Sequence, residues 1–248
     1  MKLNLLKRVA LACAIGSIAA MANASVVITG TRVIYPAAER EVSVKLTNDG
    51  KEPALVQTWI DDGDASIDAQ KRTMPFTLTP PVFRLDPNKG QTLRVTYTHE
   101  QLAADRESVY YLNVLEIPPR AKADDDRNML QMAFRSRIKL FFRPAGLDGD
   151  ANGAPEKVTW SLTRTADGKH IAVLAKNPTP YHVNVVGASV EADGKTFSSG
   201  PGMINPREQH EFVLPNLQTL PAEPVRIHYE TINDFGANVS GTFPPERR

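Results

Sequence analysis

The sequence is poor in cysteine, and after its N-terminus it contains no apolar run long enough to cross a membrane. The single cysteine is Cys13, so the rest of the chain forms no disulfide and must be stabilised by hydrophobic cores. No later stretch has the ~20 consecutive apolar residues of a membrane-spanning helix. We therefore expect a soluble protein without membrane insertion.

The first 24 residues have the composition of an export signal. Three basic residues precede an apolar stretch that runs from Val9 to about Ala20, and Ala-Asn-Ala at 22–24 supplies a small-residue cleavage pattern. We predict that residues 1–24 are a signal peptide cut after Ala24. The remaining chain would carry 26 basic against 28 acidic side chains. This near-neutral balance argues against a nucleic-acid partner.

The sequence also lacks the motifs of common enzymes and metal sites. It contains no G-x-S-x-G elbow, no phosphate-binding loop of the G-x-x-x-x-G-K type and, beyond Cys13, no cysteine nucleophile. Its five histidines are scattered, without H-x-H or H-E-x-x-H spacing: His99, His170, His182, His210 and His228. We expect no enzyme, no cofactor and no metal site.

What the sequence does contain is a succession of short alternating segments separated by turn residues, which predicts an all-β protein. Seven predicted strands fall in the first half; they include 26–35, 76–85, 108–117 and 129–143. The pattern breaks after Pro144 in a polar segment. We predict two immunoglobulin-like sandwich domains, at residues 25–145 and 146–248, because each has the size of one such sandwich.

The segment 129–143 has one apolar face. Its even positions include Leu130, Met132 and Phe134, whereas Lys139 and Arg143 lie on the odd face. A half-buried strand of the domain's own sandwich explains this alternation equally well. The segment is, however, about twice the common strand length, so part of it is expected to extend past its neighbours.

Several stretches resemble the periplasmic pilus-assembly chaperones of Gram-negative bacteria, the PapD-like family. The longest is LAADRESVYYLNVLEIP at 102–118, which matches the family pattern without a gap. Further matches are Thr31-Arg32, IKLFFRP at 138–144, NPTPY at 177–181 and INDFG at 232–236. The resemblance spans the chain after the export signal.

The resemblance implies two immunoglobulin-like domains arranged as a boomerang, with a cleft in which Arg32 and Lys139 bind the C-terminal carboxylate of a pilus subunit. A guanidinium and an ammonium suit this ligand, since the first binds a carboxylate as a fork and the second adds charge. The resemblance further implies that Leu130, Met132 and Phe134 fill the groove of an unfinished subunit. Such chaperones are a standard example of strand addition.

The resemblance also implies an interdomain ion network of Glu107, Arg143 and Asp234. Read without the resemblance, these are three unrelated surface charges. The short connection from Pro118 to Asn128 and the lack of a disulfide resemble the subclass with a short loop between strands F1 and G1. In a regular strand Lys139 faces away from Phe134, so a bulge, a strong twist or the shape of the cleft must reconcile their roles.

The predicted function is a periplasmic, non-enzymatic chaperone that binds pilus subunits and delivers them to an outer-membrane usher. Its apolar edge would also permit self-capping of the free protein as a dimer. The alternative from a different class is a secreted immunoglobulin-like adhesion or carbohydrate-binding module. The third alternative is an enzyme whose catalytic residues form no recognisable motif.

Overall fold

The computed structural model of the chain describes residues 25–64, 73–119, 131–165, 167–192, 194–221 and 225–244. These residues form seventeen strands and one short helix. The strands of the first half are β1 Val26–Ile28, β2 Arg32–Pro36, β3 Glu41–Asn48, β4 Ala54–Asp61, β5 Phe76–Thr79, β6 Val82–Leu85, β7 Gly90–Tyr97, β8 Ser108–Ile117 and β9 Phe134–Arg143.

The second half begins with the helix, α1, at Ala154–Lys157. Its strands are β10 Thr159–Arg164, β11 Ile171–Lys176, β12 Val183–Ala192, β13 Lys195–Ser198, β14 Gly202–Ile204, β15 Gln209–Leu214, β16 Ile227–Ile232 and β17 Asn238–Phe243. No strand of the first half shares a sheet with a strand of the second.

Each half is a sandwich of two sheets. In the N-terminal domain one sheet has the order β1-β3-β7-β5 and the other the order β2-β9-β8-β4-β6. The C-terminal domain packs β10-β11-β15 against β13-β12-β16-β17, with β14 also paired to β12. The predicted all-β fold with two domains is confirmed. The boundary predicted between 145 and 146 falls between β9 and α1 and stays a prediction.

Each sandwich has its own hydrophobic core, because inward-facing side chains alternate with outward-facing ones along the strands. Tyr35, Leu93, Leu112 and Leu140 are fully buried in the first core. The second core is built around Trp160 and the buried faces of β11, β12 and β15. The two cores are separate, as expected for two domains.

Two strands predicted as continuous are each divided between the two sheets of the N-terminal domain. Segment 26–35 forms β1 in one sheet and β2 in the other, with a break at Gly30, whose φ of +97° strongly favours glycine. Segment 76–85 breaks at Pro80 and Pro81, which carry no N–H for a sheet ladder. The prediction of single strands here is wrong, since alternation does not reveal which sheet a segment joins.

Some predictions concern residues outside the described ranges. These are the signal peptide at 1–24, the side chain of Leu130 and most of the connection from Pro118 to Asn128. Among the described residues, no helix is both long and apolar enough to span a bilayer.

The Tyr35 hydroxyl joins the two sheets of the N-terminal domain. It donates to the Arg40 carbonyl at 2.9 Å and accepts the Tyr97 N–H at 3.0 Å. Tyr35→Phe leaves both groups without this partner, and we expect the free energy of unfolding to fall by about 1 to 2 kcal/mol in urea titrations. Tyr110→Phe is the control, because Tyr110 also packs on Phe76 but its hydroxyl makes no hydrogen bond to a described residue. Equal losses in both variants would contradict this role.

Candidate functional site

Two cations are brought side by side by the pairing of β2 with β9. The two strands are parallel, and their register places Arg32 directly beside Lys139. Residues paired across a ladder project from the same face of the sheet. The guanidinium and the ammonium therefore point together out of the N-terminal domain.

Both cations face the C-terminal domain across the interdomain cleft, the space lined by Arg32, Arg143, Asn184, Ile232 and Asp234 among others. Arg32 Nη1 donates to the Ile232 carbonyl at 3.1 Å, and the Lys139 ammonium donates to Asn184 Oδ1. These two acceptors are themselves neighbours, since Asn184 and Ile232 are paired between β12 and β16.

The two cations have only neutral partners. Among the described residues, neither forms an ion pair. Burial lowers the pKa of Lys139, and the positive charge of Arg32 lowers it further. Burial also lowers the pKa of Arg32, partly opposed by Asp234. The cleft is thus a half-buried site with two cations that form no ion pair among the described residues, which favours an anion with several acceptor oxygens.

One donor at this site has no partner at all within the described structure. Arg32 Nε is buried and makes no hydrogen bond. A buried donor without a partner costs about 1 to 3 kcal/mol. An unsatisfied buried donor calls for an explanation, and a bound acceptor in the cleft would supply its missing partner.

Strand β9 has a free edge beyond the cations. On one side it pairs with β8 from Phe134 to Phe142, but on the other side β2 reaches only residues 139–143. The segment Phe134–Ile138, hereafter the free edge, therefore has no pairing strand on that side among the described residues, and its backbone groups are available there. Lys139 itself lies just inside the paired part. We predicted that part of segment 129–143 extends past its neighbours. Within the described residues, β9 extends past β2 at positions 134–138 but remains paired with β8 there.

No bulge reconciles Phe134 with Lys139. The pairing of β8 with β9 runs without a register shift from Phe142 to Phe134. The even row continues the face that fills the domain's own core, where Leu140 and Phe142 are buried, but Phe134 lies outside that core. Met132 precedes the strand with 49% of its surface exposed. The two roles are therefore separated along the strand. Phe134 lies in the free edge and Lys139 in the part paired with β2, and their side chains project from opposite faces.

The predicted ion network of Glu107, Arg143 and Asp234 is brought together at the domain interface. Arg143 Nε donates to Glu107 Oε1 at 2.7 Å, and its two terminal nitrogens donate to the Asp234 carboxylate at 2.8 and 3.1 Å. Glu107 and Arg143 belong to the N-terminal domain and Asp234 to the C-terminal one. The Glu107 side chain is only 2% exposed.

Glu107 is also held directly by the C-terminal domain. Its Oε2 accepts the His182 N–H at 2.8 Å, and its own N–H donates to the Pro180 carbonyl at 2.9 Å. Burial raises the pKa of the Glu107 carboxyl, but the hydrogen bonds from His182 and the charge of Arg143 outweigh burial and lower it overall. Glu107 is therefore a charged group shared by both domains.

A tight turn between β16 and β17 presents Asp234 to this network. Asn233 Oδ1 accepts the Phe235 N–H at 3.0 Å and closes the turn. Gly236 follows with a φ of +83°, and a Cβ there would lie 2.7 Å from Thr31 Oγ1. Only glycine fits at this close approach. The INDFG and Thr31-Arg32 motifs are therefore in direct contact.

Comparison with known proteins identifies the family. One sequence profile, "Pili and flagellar-assembly chaperone, PapD N-terminal domain", matches residues 25–148. A second, "Pili assembly chaperone PapD, C-terminal domain", matches residues 153–243. The chain belongs to the PapD-like pilus-assembly chaperones.

Individual relatives agree with the profiles. The chaperone protein FimB/FhaD of Bordetella pertussis is 43% identical over 229 residues, which cover 91% of this chain and 90% of that protein. The crystal structure of the YadV chaperone, a protein of Escherichia coli, is 40% identical with a TM-score of 0.76, over 88% of this chain and 98% of that one. A chain from a Salmonella enterica structure of SafA pilin in complex with the SafB chaperone is 25% identical with a TM-score of 0.72, over 90% and 98%.

Family membership decides between the functions that the sequence left open. The protein is a periplasmic fimbrial chaperone and, like its family, not an enzyme. This favours the chaperone over an adhesion or carbohydrate-binding module. Within the described part of the chain, no three His, Cys, Asp or Glu residues are grouped so as to hold a metal ion.

Two residues of this chaperone's cleft were missed in the sequence. His182 has no metal-site spacing and stands as an isolated histidine in the sequence, although its position directly after the NPTPY motif is a usable signal. Asn184 carried no signal, because a single asparagine in an alternating strand has no pattern of its own. Both act across the domain interface, and such contacts depend on how the domains meet.

The Glu107 carboxylate generates a prediction about stability and pH. Because its native pKa is lowered below the ordinary 4.5, its stabilisation is complete above pH 4.5 and is lost as the pH falls through the lower native value. Glu107→Gln should therefore reduce the free energy of unfolding at pH 7 by about 3 kcal/mol. The gap between the two proteins should shrink below pH 4.5 in urea titrations.

The control for this experiment is Asp105→Asn. Asp105 also pairs across the interface, with Arg207 at 2.8 Å, but both side chains are about half exposed. Water screens such a pair, so this variant should change little. A Glu107→Gln effect as small as that of Asp105→Asn, or one that does not vary with pH, would refute the role given to Glu107.

Proposed function

We propose that this chaperone binds unfinished pilus subunits by donating a strand, while the cleft holds the C-terminal carboxylate of the subunit. The observation that carries the proposal is the adjacency of Arg32 and Lys139 without an anionic partner among the described residues. SafB, a relative of known structure, is bound to a pilin, which supports a subunit as the ligand here.

A chain terminus is a specific ligand for such a site. Each polypeptide has one C-terminal carboxylate, and its two oxygens accept hydrogen bonds from a guanidinium and an ammonium at the same time. Arg32 Nη2 and the remaining Lys139 N–H groups make no hydrogen bond to described residues. The anchor would thereby fix the register of the bound chain relative to β9.

Strand addition at the free edge would supply most of the apolar contact. The unpaired backbone of Phe134–Ile138 is suited to a ladder with an added strand. Phe134, the exposed Met132 and Leu130 would enter the groove of the subunit. Burial of each such side chain is worth roughly 1.5 to 3 kcal/mol before the cost of ordering is subtracted.

The remaining parts of the proposal concern processing and delivery. We expect cleavage after Ala24, because Ser25 is already held in the fold. Its hydroxyl donates to Glu116, and its carbonyl accepts the Asp49 N–H at 2.8 Å. Delivery of subunits to an outer-membrane usher, the short-loop subclass and self-capping through the free edge are proposed from the family resemblance.

Loss of either cation should abolish subunit capture. We expect Arg32→Ala and Lys139→Ala to weaken binding at least about a hundredfold, since each removes a charged donor from a partly desolvated site. The measurement is recovery of chaperone–subunit complexes from the periplasm after co-expression with the pilus subunits of its own bacterium. Arg94→Ala, an exposed cation of β7 in the other sheet, is the control. Normal recovery with both cleft variants would rule out the carboxylate anchor.

A charge on the free edge should block strand addition. Phe134→Glu would carry a carboxylate into an apolar groove, which is strongly unfavourable without a partner. We expect no complex in the same co-expression assay and an unchanged urea midpoint, because Phe134 lies outside the core. The control is Val213→Glu, at an exposed valine of the C-terminal domain. Retained binding together with a lower midpoint would assign Phe134 to the chaperone's own packing.

A further inference from the structure

Asn184 faces the two cations from the C-terminal domain. It lies on β12, is only 6% exposed, and its Oδ1 accepts a hydrogen bond from the Lys139 ammonium. An ammonium group donates hydrogen bonds and accepts none. The orientation of the amide is therefore fixed by chemistry, with Oδ1 towards Lys139 and the Nδ2 group turned away from it.

The Nδ2 group of Asn184 is an unused donor. It makes no hydrogen bond to any described residue, yet it is not among the fully buried atoms that lack a partner. It consequently keeps access to solvent in the cleft. A polar group that is accessible but unpaired, on a residue that is otherwise buried, is well placed to meet a ligand.

The four residues of this part of the cleft form a two-by-two arrangement. Arg32 and Lys139 are paired between β2 and β9, whereas Ile232 and Asn184 are paired between β16 and β12. Arg32 contacts Ile232 and Lys139 contacts Asn184. Because both pairs are fixed by sheet registers, Asn184 stays opposite the two cations, within hydrogen-bond reach of Lys139.

We propose that Asn184 is a third anchor for the carboxylate, holding the Lys139 ammonium through Oδ1 and donating through Nδ2 to the bound terminus. This inference rests on the proposed function and adds a ligand contact from the C-terminal domain. The anchor then spans both domains, and a bound terminus is contacted by each of them.

The neutrality of Asn184 matters for this role. A carboxylate at this position would pair with Lys139 and compete with the incoming terminus, and it would repel that terminus. An apolar side chain would accept no hydrogen bond from the Lys139 ammonium. An amide holds the cation without cancelling its charge. The Asn184 side chain also disfavours a peptide with an amidated C-terminus, because the N–H groups of that terminus would face those of Asn184.

The test uses the full chain and a short synthetic peptide of alternating valine and threonine, with lysines at its N-terminus and a free C-terminal carboxylate. Calorimetry compares this peptide with its C-terminal amide. Asn184→Ala should weaken carboxylate binding about tenfold and reduce the preference for carboxylate over amide. Asn184→Asp should weaken it about a hundredfold, because the new charge occupies Lys139.

Controls separate a loss of this contact from misfolding and from failure of the proposed function. Asn216→Asp, at an exposed asparagine far along the chain, should leave affinity unchanged, and urea midpoints show whether each variant is folded. Wild-type affinity and preference in both Asn184 variants, with binding lost in Arg32→Ala and Lys139→Ala, would overturn this inference and leave the proposed function standing. Wild-type affinity in the two cation variants would overturn the carboxylate anchor itself.

Discussion

The parallel pairing of β2 with β9 is the constraint on which the rest of the site depends. It places Arg32 beside Lys139, and two cations so close repel each other unless something offsets them. It also ends after five residue pairs, and no other strand in the described part of the chain pairs with the remainder of β9 on that side. One short ladder thus determines both the charged cleft and the adjacent free edge.

The domain interface fixes the position of the C-terminal residues that face this ladder. Glu107 is buried among groups of both domains, and Arg143 links it to Asp234. A buried ion network is weak evidence for overall stability, because desolvation offsets much of its attraction. Such a network does restrict the relative position of the two domains, since few positions satisfy all of its hydrogen bonds. Asn184 and Ile232 are held opposite the cations by that arrangement.

Much of this could be predicted from the sequence, and the failures have physical causes. Strand β8 was predicted with its observed bounds, because its ten residues are rich in β-branched and aromatic side chains and contain no glycine or proline. Segment 26–35 was not resolved into two strands, since both sides of Gly30 are rich in β-branched residues and the change of sheet is a tertiary event. Glu107, Arg143 and Asp234 came from the family resemblance alone. Contacts across a domain interface, such as that of Asn184, produce no periodic pattern in the sequence.

The position of Phe134 outside the hydrophobic core has a consequence for turnover. The residues of β9 that are buried in the core, Leu140 and Phe142, lie in the part paired with β2, whereas Phe134 lies on the free edge and is only partly buried. A partner that contacts Phe134 can therefore join and leave this edge without taking Leu140 or Phe142 out of the core. The protein need not unfold or refold as it changes partners, so the same molecule is intact for each new cycle.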